Sequence, residues 1–210
     1  TRFPDLNILT FHIEGVHVQK KDNELEKFKT EITEQVKEDY DIETVKDHPT
    51  FRAYRDFFWS IKIDPTKIRP AAEALIRRIL GVKNIPHINT LVDVYNVASI
   101  KSRIALATFD SDKLEGDIIM RFAIKGEEFY GIGMKEPLVL KGGEIVLCDN
   151  EKMIAVYPYR DADNTKVTEK TKKVTIVICG VPGLSKTTLE NAEKVTLEYI
   201  KRFCMDENKK

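Results

Sequence analysis

The stretch NTLVDVYNVASIKSRIALATFDSDKLEG, from Asn89 to Gly116, predicts a helix, a turn, a short strand and an acidic loop. Wound as a helix, Leu91 to Ile100 spreads apolar side chains over well more than half of the circumference, wider than the stripe of a surface helix. We therefore expect this helix to be nearly surrounded by protein and the rest of the chain to be organised around it.

One polar stripe interrupts this apolar surface. Asn89, Asp93 and Asn96 are spaced i, i+4 and i+7, so they lie on one face of the helix. Asn89 is also suited to cap the helix by accepting a hydrogen bond from a free backbone N–H. Two interpretations stay open: the stripe holds neighbouring loops by buried hydrogen bonds, or it lines a pocket whose polar groups bind a ligand.

The chain has 210 residues, which is enough for one sizeable core. We expect a single domain over 1–210, divided into an N-terminal strand and amphipathic helix (1–50), a core (51–181) and a C-terminal helix (182–210). The strand is predicted over Leu6 to Gly15, the first helix from near Asp22, and the last helix from Thr187, with Thr187 and Glu190 as a capping box. Apolar runs between Gly-rich turns predict short strands in the second half.

Charge is balanced over the whole chain but not along it. Lys+Arg and Asp+Glu number 34 each, which argues against a protein that coats nucleic acid by bulk charge. Residues 1–50 hold 7 basic and 12 acidic side chains, whereas residues 51–83 hold 8 basic and 3 acidic ones. Any contact with nucleic acid is therefore expected to be local.

The basic part is also the part where aromatic residues are interleaved with Arg and Lys, a composition that suits phosphates and unstacked bases at a single-stranded RNA end. The candidate RNA-binding residues are Arg52, Tyr54, Lys67 and Arg69. For Phe57, Phe58 and Trp59 we favour the simpler interpretation that they belong to the core.

Several other chemistries find little support in the sequence. Three cysteines without metal-ligand spacing favour a reduced, cytoplasmic protein, and neither a membrane-spanning run nor a signal peptide is apparent. The acidic loop with Asp110 and Asp112 departs from the calcium-loop pattern, so these side chains are expected to fix the turn. The segment GVPGLSKT lacks the Gly that a phosphate loop needs before its Lys. No metal, cofactor or nucleotide is therefore expected, and no serine or cysteine is set in a nucleophile motif.

The motifs NTLVDVYN and FDSDKLEG, followed by a strand with an Arg and then Gly-Glu, resemble the editing domain of the phenylalanyl-tRNA synthetase beta subunit. The chain is more similar still to freestanding proteins made of this domain. Their pattern is matched by Tyr54-Arg55, by DPTKIRP from Asp64 to Pro70 with Glu73 and the paired Arg77 and Arg78, and by Arg160, Asp163, Thr165 and Lys166. The resemblance runs from about Phe51 to about Val181.

The resemblance implies an α+β fold in three layers, a β-sandwich of unusual topology flanked by helices. It also implies a trans-editing hydrolase that deacylates mischarged aminoacyl-tRNA by positioning water in a polar cleft, without a metal or a covalent nucleophile. The expected partner is the tRNA acceptor end carrying an amino acid, with no membrane involved. The expected site residues are Asp93, Asp163 and Asn96 for catalysis and Asn89, Thr90, Asp112, Arg160 and Thr165 for substrate binding.

Two departures from the synthetase pattern keep a second function open. Ala107 replaces a His, and the apolar stretch Ile176 to Cys179 stands where the synthetase has a Glu. In the synthetase these groups act on the amino-acid side chain and the attacking water. The alternative is a non-catalytic tRNA-binding or amino-acid-sensing module of the same fold. The sequence predicts neither the amino acid nor the oligomeric state.

Overall fold

The computed structural model of the chain describes residues 3–205, which form five helices and nine strands. The helices are α1 (Asn23–Asp39), α2 (Pro49–Ser60), α3 (Ala71–Leu80), α4 (Thr90–Ser102) and α5 (Lys186–Cys204). The strands are β1 (Ile8–Glu14), β2 (Ala105–Asp110), β3 (Ile119–Phe122), β4 (Glu128–Phe129), β5 (Leu138–Val139), β6 (Ile145–Cys148), β7 (Met153–Val156), β8 (Arg160–Asp161) and β9 (Lys173–Cys179).

The strands form two main antiparallel sheets. One has the order β1-β9-β2 and the other the order β3-β6-β7-β8, while β4 and β5 make a small hairpin. Strand β9 is central in its sheet, and every residue after Lys173 is buried. Burial on both faces explains why the run from Val174 to Cys179 is apolar except at Thr175 instead of alternating.

The two sheets share one core. Ile145 and Leu147 of β6 belong to the same buried cluster as Ile176 and Ile178 of β9. Helix α4 contacts α5 and β2, and α5 contacts β1 and β9, so helices cover the three-stranded sheet. A second, smaller cluster lies on the other side of β6 and includes Phe129. The arrangement confirms the predicted α+β class.

Helix α4 confirms the expectation drawn from its sequence. Leu91, Val94, Val97 and Ala98 have no exposed surface. The helix extends slightly beyond the predicted segment at both ends, and Asn89 caps it by accepting a hydrogen bond from the Val92 N–H at 3.0 Å. Within residues 3–205 no helix has the length and apolarity that crossing a bilayer requires.

The predicted cap of the last helix was wrong. Ser185, whose backbone is extended, caps α5 by accepting from the Thr188 N–H at 3.1 Å. Thr187 already has a place inside the helix, which begins at Lys186. The first residue that offers a side-chain oxygen with extended backbone therefore takes the cap.

The basic aromatic segment folds as α2, a helix that the sequence did not predict. Phe57 and Phe58 are buried as expected, whereas Trp59 is 56% exposed. The Tyr54 hydroxyl is buried, donates to the Cys179 carbonyl and accepts from the Ala105 N–H at 3.0 Å. This side chain therefore ties α2 to both β2 and β9.

A buried ion pair ties α1 to α4. Lys29 Nζ donates to Asp93 Oδ2 at 2.8 Å, and both side chains are almost fully enclosed. The same carboxylate accepts from the Ile88 N–H at 2.9 Å and lies 2.9 Å from His87 Nδ1. Asp93 is thus a saturated structural group.

Replacing Lys29 should destabilise the fold, because the buried Asp93 carboxylate then lacks its ion-pair partner. We expect Lys29→Met to lower the free energy of unfolding by about 3 kcal/mol, because the buried Asp93 charge loses its counter-ion. The control is Lys37→Met on the same helix, whose pair with Glu34 is 2.8 Å long and exposed. Its cost should be below about 1 kcal/mol. Urea unfolding of both variants measures the difference, and equal small losses would contradict the assignment.

Candidate functional site

A small pocket lies where the two sheets face each other. Its volume is 140 Å³, close to that of a cavity able to hold one benzene ring, about 150 Å³. The lining residues come from both sheets, the β7–β8 turn and the start of α3: Ala71, Leu106, Ala107, Leu147, Ala155, Val156, Tyr157, Pro158, Tyr159, Asp161 and Cys179. The wall is mostly apolar, with a few polar groups.

Asp161 supplies the carboxyl group of this pocket. The residue is partly exposed, but its carboxyl is enclosed by protein, and this burial raises its pKa to about 7. A hydrogen bond from the Thr108 backbone N–H and the positive charge of Arg160 act in the opposite direction on the same pKa. A carboxyl of this kind changes charge near neutral pH.

The other ionisable groups of the pocket stay neutral there. Burial raises the pKa of Tyr157 and of Cys179 well above their ordinary values, and it raises the pKa of Tyr159 as well. Because a thiol must ionise to act as a nucleophile, Cys179 is poorly suited to covalent catalysis. The Tyr157 hydroxyl donates to the Gly180 carbonyl.

Helix α3 begins at the pocket. Ala71, its first residue, lines the pocket wall, and Pro70 at the cap position provides no side-chain hydrogen bond. The first N–H groups of a helix have no partner within the helix and carry a partial positive charge. The pocket therefore adjoins backbone donors that suit a developing negative charge.

A larger open cleft adjoins the pocket at Tyr159, which lines both. The cleft has a volume of 490 Å³. Its basic residues are Lys62, Lys67, Lys141 and Arg160, and its acidic residues are Asp64 and Glu144. Apolar side chains such as Ile68 and Leu138 complete the wall. This mixture suits a ligand that has both a flat apolar part and anionic groups.

Arg160 is held in the cleft wall by a close approach of the backbone. A Cβ added at Gly131 would lie 2.6 Å from Arg160 Cγ and 2.7 Å from Cδ. Only glycine leaves room for the arginine stem at this point. The guanidinium Nη1 donates to the Ile132 carbonyl at 3.4 Å and stays exposed.

A basic groove continues from the cleft along α3. It is lined by Lys67, Arg69, Ala74, Arg77, Arg78, Gly81 and Lys83 and has no acidic lining residue. Lys67 belongs to both the cleft and the groove, so the two surfaces are continuous. Glu73 is fully buried beside this groove. Its Oε1 accepts from Arg77 Nε at 2.8 Å and from Arg55 Nη1 at 2.9 Å, so it orients both arginines.

The predicted stripe on α4 does not line the pocket or the cleft. Asn89 caps the helix, and Thr90 exchanges hydrogen bonds with Gln19, one through its hydroxyl at 3.0 Å. Asp93 is bound by Lys29, and Asn96 is partly buried outside both cavities. Of the two interpretations of the stripe, the geometry of Asn89, Thr90 and Asp93 matches buried hydrogen bonding.

The remaining predicted substrate and catalytic residues lie in two turns. The Asp110 carboxylate accepts from the Asp112 N–H at 3.3 Å and fixes the Ser111–Lys113 turn as expected, whereas Asp112 contributes its backbone N–H and is exposed. Asp163 binds Lys166 Nζ at 2.8 Å, and the Thr165 hydroxyl is buried without a partner among the described residues. None of these side chains lines the pocket or the cleft.

The predicted RNA-binding residues separate into two groups. Lys67 and Arg69 are exposed on the basic groove. Arg52 is exposed but lies outside this groove, paired with Asp47 at 3.2 Å. Tyr54 is 1% exposed, so its side chain cannot touch RNA in this conformation.

One group of side chains has the geometry of metal ligands. Ligand atoms of Glu26, His87 and Asp93 lie within 4.8 Å of one another. Lys29 Nζ sits among them, 2.9 Å from Glu26 and 2.8 Å from Asp93. The ammonium already supplies the positive charge, so we assign the group to the α1–α4 junction.

Sequence reasoning did not single out Asp161. Arg160 and Asp163 belong to the family pattern, whereas Asp161, which lies between them, does not. An available signal was the alternation of a strand, which places adjacent residues on opposite faces. If Arg160 faces the cleft, its neighbour faces the interior.

Residues 53–204 match the model of the B3/4 domain family. The chain is an α+β domain with a pocket between two sheets, and it belongs to the B3/4 domain family.

Among curated relatives, the phenylalanine–tRNA ligase beta subunit of Fusobacterium nucleatum is 32% identical over 136 residues, which cover 65% of this chain and 16% of the relative. That of Carboxydothermus hydrogenoformans is 35% identical over 121 residues, covering 57% and 15%. The chain thus spans about a sixth of the length of these relatives. A crystal structure of an N-terminal fragment of the phenylalanyl-tRNA synthetase beta subunit from Pyrococcus horikoshii aligns with a TM-score of 0.47 at 19% identity, covering 54% of this chain and 40% of that one.

The raised pKa of Asp161 predicts a stability that depends on pH. The folded value of about 7 lies above that of an unfolded aspartate, about 3.9, so the fold opposes ionisation between these two pH values. The wild type should lose stability relative to Asp161→Asn as the pH rises from about 4 to about 7, with no further change above. One pKa unit corresponds to about 1.4 kcal/mol. The free energy of unfolding of Asp161→Asn, relative to that of the wild type, should therefore be a few kcal/mol higher at pH 8 than at pH 4.

Thermal or urea unfolding from pH 4 to pH 9 measures this gain. Asp117→Asn is a control, because this exposed carboxylate lies outside the pocket and the cleft. A gain that stays flat across the pH range would show that the Asp161 carboxyl ionises as freely as an exposed one.

Proposed function

We propose that the chain is a deacylase that hydrolyses the ester of a mischarged aminoacyl-tRNA in trans, with the amino acid in the pocket and the end of the tRNA in the cleft. The observation that carries this proposal is the junction of the two cavities. Tyr159 lines both, Arg160 lies in the cleft and Asp161 in the pocket. A substrate with a compact acyl group and a larger anionic part fits such a pair of cavities.

The size of each cavity supports this division of the substrate. A volume of 140 Å³ accommodates a single amino-acid side chain of moderate size. The 490 Å³ cleft is open, partly apolar and basic, which suits a nucleotide with its phosphate. Both parts of an aminoacyl-nucleotide end therefore have a place.

The basic groove along α3 provides a path for the rest of the tRNA. Lysine and arginine side chains bind RNA mainly through phosphates, and this groove runs on from the cleft through Lys67. Arg69, Arg77 and Arg78 lie along it. The curated relatives are named as ligases that act with tRNA, which favours the same kind of partner for this family member.

The proposed reaction uses positioned water and no covalent intermediate. Arg160 stays available in the cleft to bind a phosphate or the polar end of the amino acid, and the start of α3 at the pocket wall places backbone N–H groups near a developing oxyanion. Asp93 has no catalytic role in this proposal, because its carboxylate is already bound by Lys29. Tyr54 has no role in RNA binding, because its side chain is buried.

A binding module without turnover is the second candidate. Ala107, which stands where the synthetase pattern has a His, lines the pocket, and so does Cys179, the last residue of the apolar stretch that stands where the pattern has a Glu. A domain that kept the pocket and lost the reaction would bind aminoacyl-tRNA without releasing the amino acid.

Release of labelled amino acid from a panel of correctly and wrongly charged tRNAs separates these functions. We expect selective release from one mischarged pair, well above the spontaneous rate. Lys67→Ala should raise KM several-fold with little change in kcat, because Lys67 contacts only the distant, unreactive part of the substrate. The control is Lys194→Ala, an exposed charge on α5 outside these surfaces.

Binding of charged tRNA without release from any pair would favour the module. Neither binding nor release would reject both candidates.

A further inference from the structure

Asp161 lies where the bond to be cleaved would be placed. Alternation along β8 directs Arg160 to the cleft and Asp161 to the pocket. An acyl group in the pocket and a ribose in the cleft put the connecting ester at this boundary. We infer that Asp161 is the general base that activates the water attacking the ester, an assignment that rests on the proposed deacylase function.

The surroundings of Asp161 leave its carboxylate available. Tyr95 from α4 and Cys179 from β9 lie close enough for its charge to raise their pKa values further, so both remain neutral. The Thr108 N–H from β2 and the Arg160 charge face it as well. No Lys or Arg side chain forms an ion pair with Asp161 within residues 3–205, in contrast to Asp93.

The enclosed position gives this carboxylate the properties of an efficient base. A general base works best when its pKa is close to the working pH, and burial brings Asp161 to about 7. The nearby Asp163 carboxylate, by contrast, is half-exposed and forms an ion pair with Lys166 at 2.8 Å, so both water and the ammonium group stabilise its charge. Asp161 is the pocket-lining side chain whose charge changes near neutrality.

The reaction then proceeds in two balanced steps. Water forms a bond to the ester carbonyl carbon while its proton passes to the Asp161 carboxylate and the carbonyl electron pair moves to oxygen. The N–H groups at the start of α3 stabilise this oxyanion. The carbonyl reforms as the bond to the ribose oxygen breaks, and that oxygen takes the proton from Asp161. The products are the free amino acid and the uncharged tRNA.

The test compares pH–rate profiles of the wild type and Asp161→Asn on the mischarged pair that the panel identifies, after subtraction of the rate without enzyme. We expect the wild-type kcat/KM to rise with pH and level off above about 7. Asp161→Asn should lose about a hundredfold or more in kcat, and its kcat/KM should not show this rise with pH. Its affinity for the charged tRNA should stay within about threefold of that of the wild type. Asp117→Asn should keep the wild-type profile.

Each other outcome is decisive. A wild type that releases nothing from any pair rejects the proposed function, and the inference with it. If the wild type is active and Asp161→Asn is equally active with the same rise of kcat/KM with pH, the inference is overturned and the proposed function stands. Loss of turnover in Asp163→Asn with retention in Asp161→Asn would assign the base to the turn after β8. Unfolding curves of Asp161→Asn, expected to be at least as stable at pH 8, exclude misfolding as the cause.

Discussion

A carboxyl group enclosed between two β-sheets is the constraint on which the site depends. The fold places Asp161 beside apolar walls from β2, β6 and β7, where ionisation is unfavourable and the pKa rises to about 7. A hydrophobic residue of similar size would satisfy the packing without this penalty. Retaining a titrating carboxyl in a pocket that adjoins a basic cleft is typical of a functional site.

Two aspartates illustrate the difference between a structural and a functional buried charge. Asp93 has a lysine, a histidine and a backbone N–H around it, so its charge stabilises the junction of α1 and α4. Asp161 has neutral neighbours, one backbone N–H and the charge of Arg160 near it, but it forms no ion pair among the described residues. The partners of Asp93 therefore hold its charge in place, whereas burial without an ion pair raises the pKa of Asp161.

Local patterns predicted much of the fold from the sequence. The wide apolar surface of α4 and the largely apolar run of β9 follow directly from burial on all sides. Helix α2 was missed because the interleaved basic and aromatic residues of this segment favoured an RNA-binding surface, although its buried side chains recur at helical spacing. Its three buried phenylalanines, Phe51, Phe57 and Phe58, lie in the core.

The site was harder to predict because its residues meet through tertiary contacts. Ala107, Tyr159, Asp161 and Cys179 come from three strands and a turn, and no local spacing relates them. The polar stripe of α4 was consistent with the lining of a pocket, because the sequence does not show that Lys29, on another helix, is the partner of Asp93. Lys67 and Arg69 are exposed on the basic groove, since a surface charge needs no partner to stay exposed, and their contact with RNA stays a prediction.

The most direct test of the account is a crystal structure with an aminoacyl-adenosine whose ester is replaced by a non-hydrolysable amide. The account predicts the amino-acid side chain in the pocket, the adenosine in the cleft beside Arg160, and the amide carbonyl between the Asp161 carboxyl and the start of α3. An analogue bound with its acyl group in solvent, and its adenosine elsewhere on the surface, would contradict it.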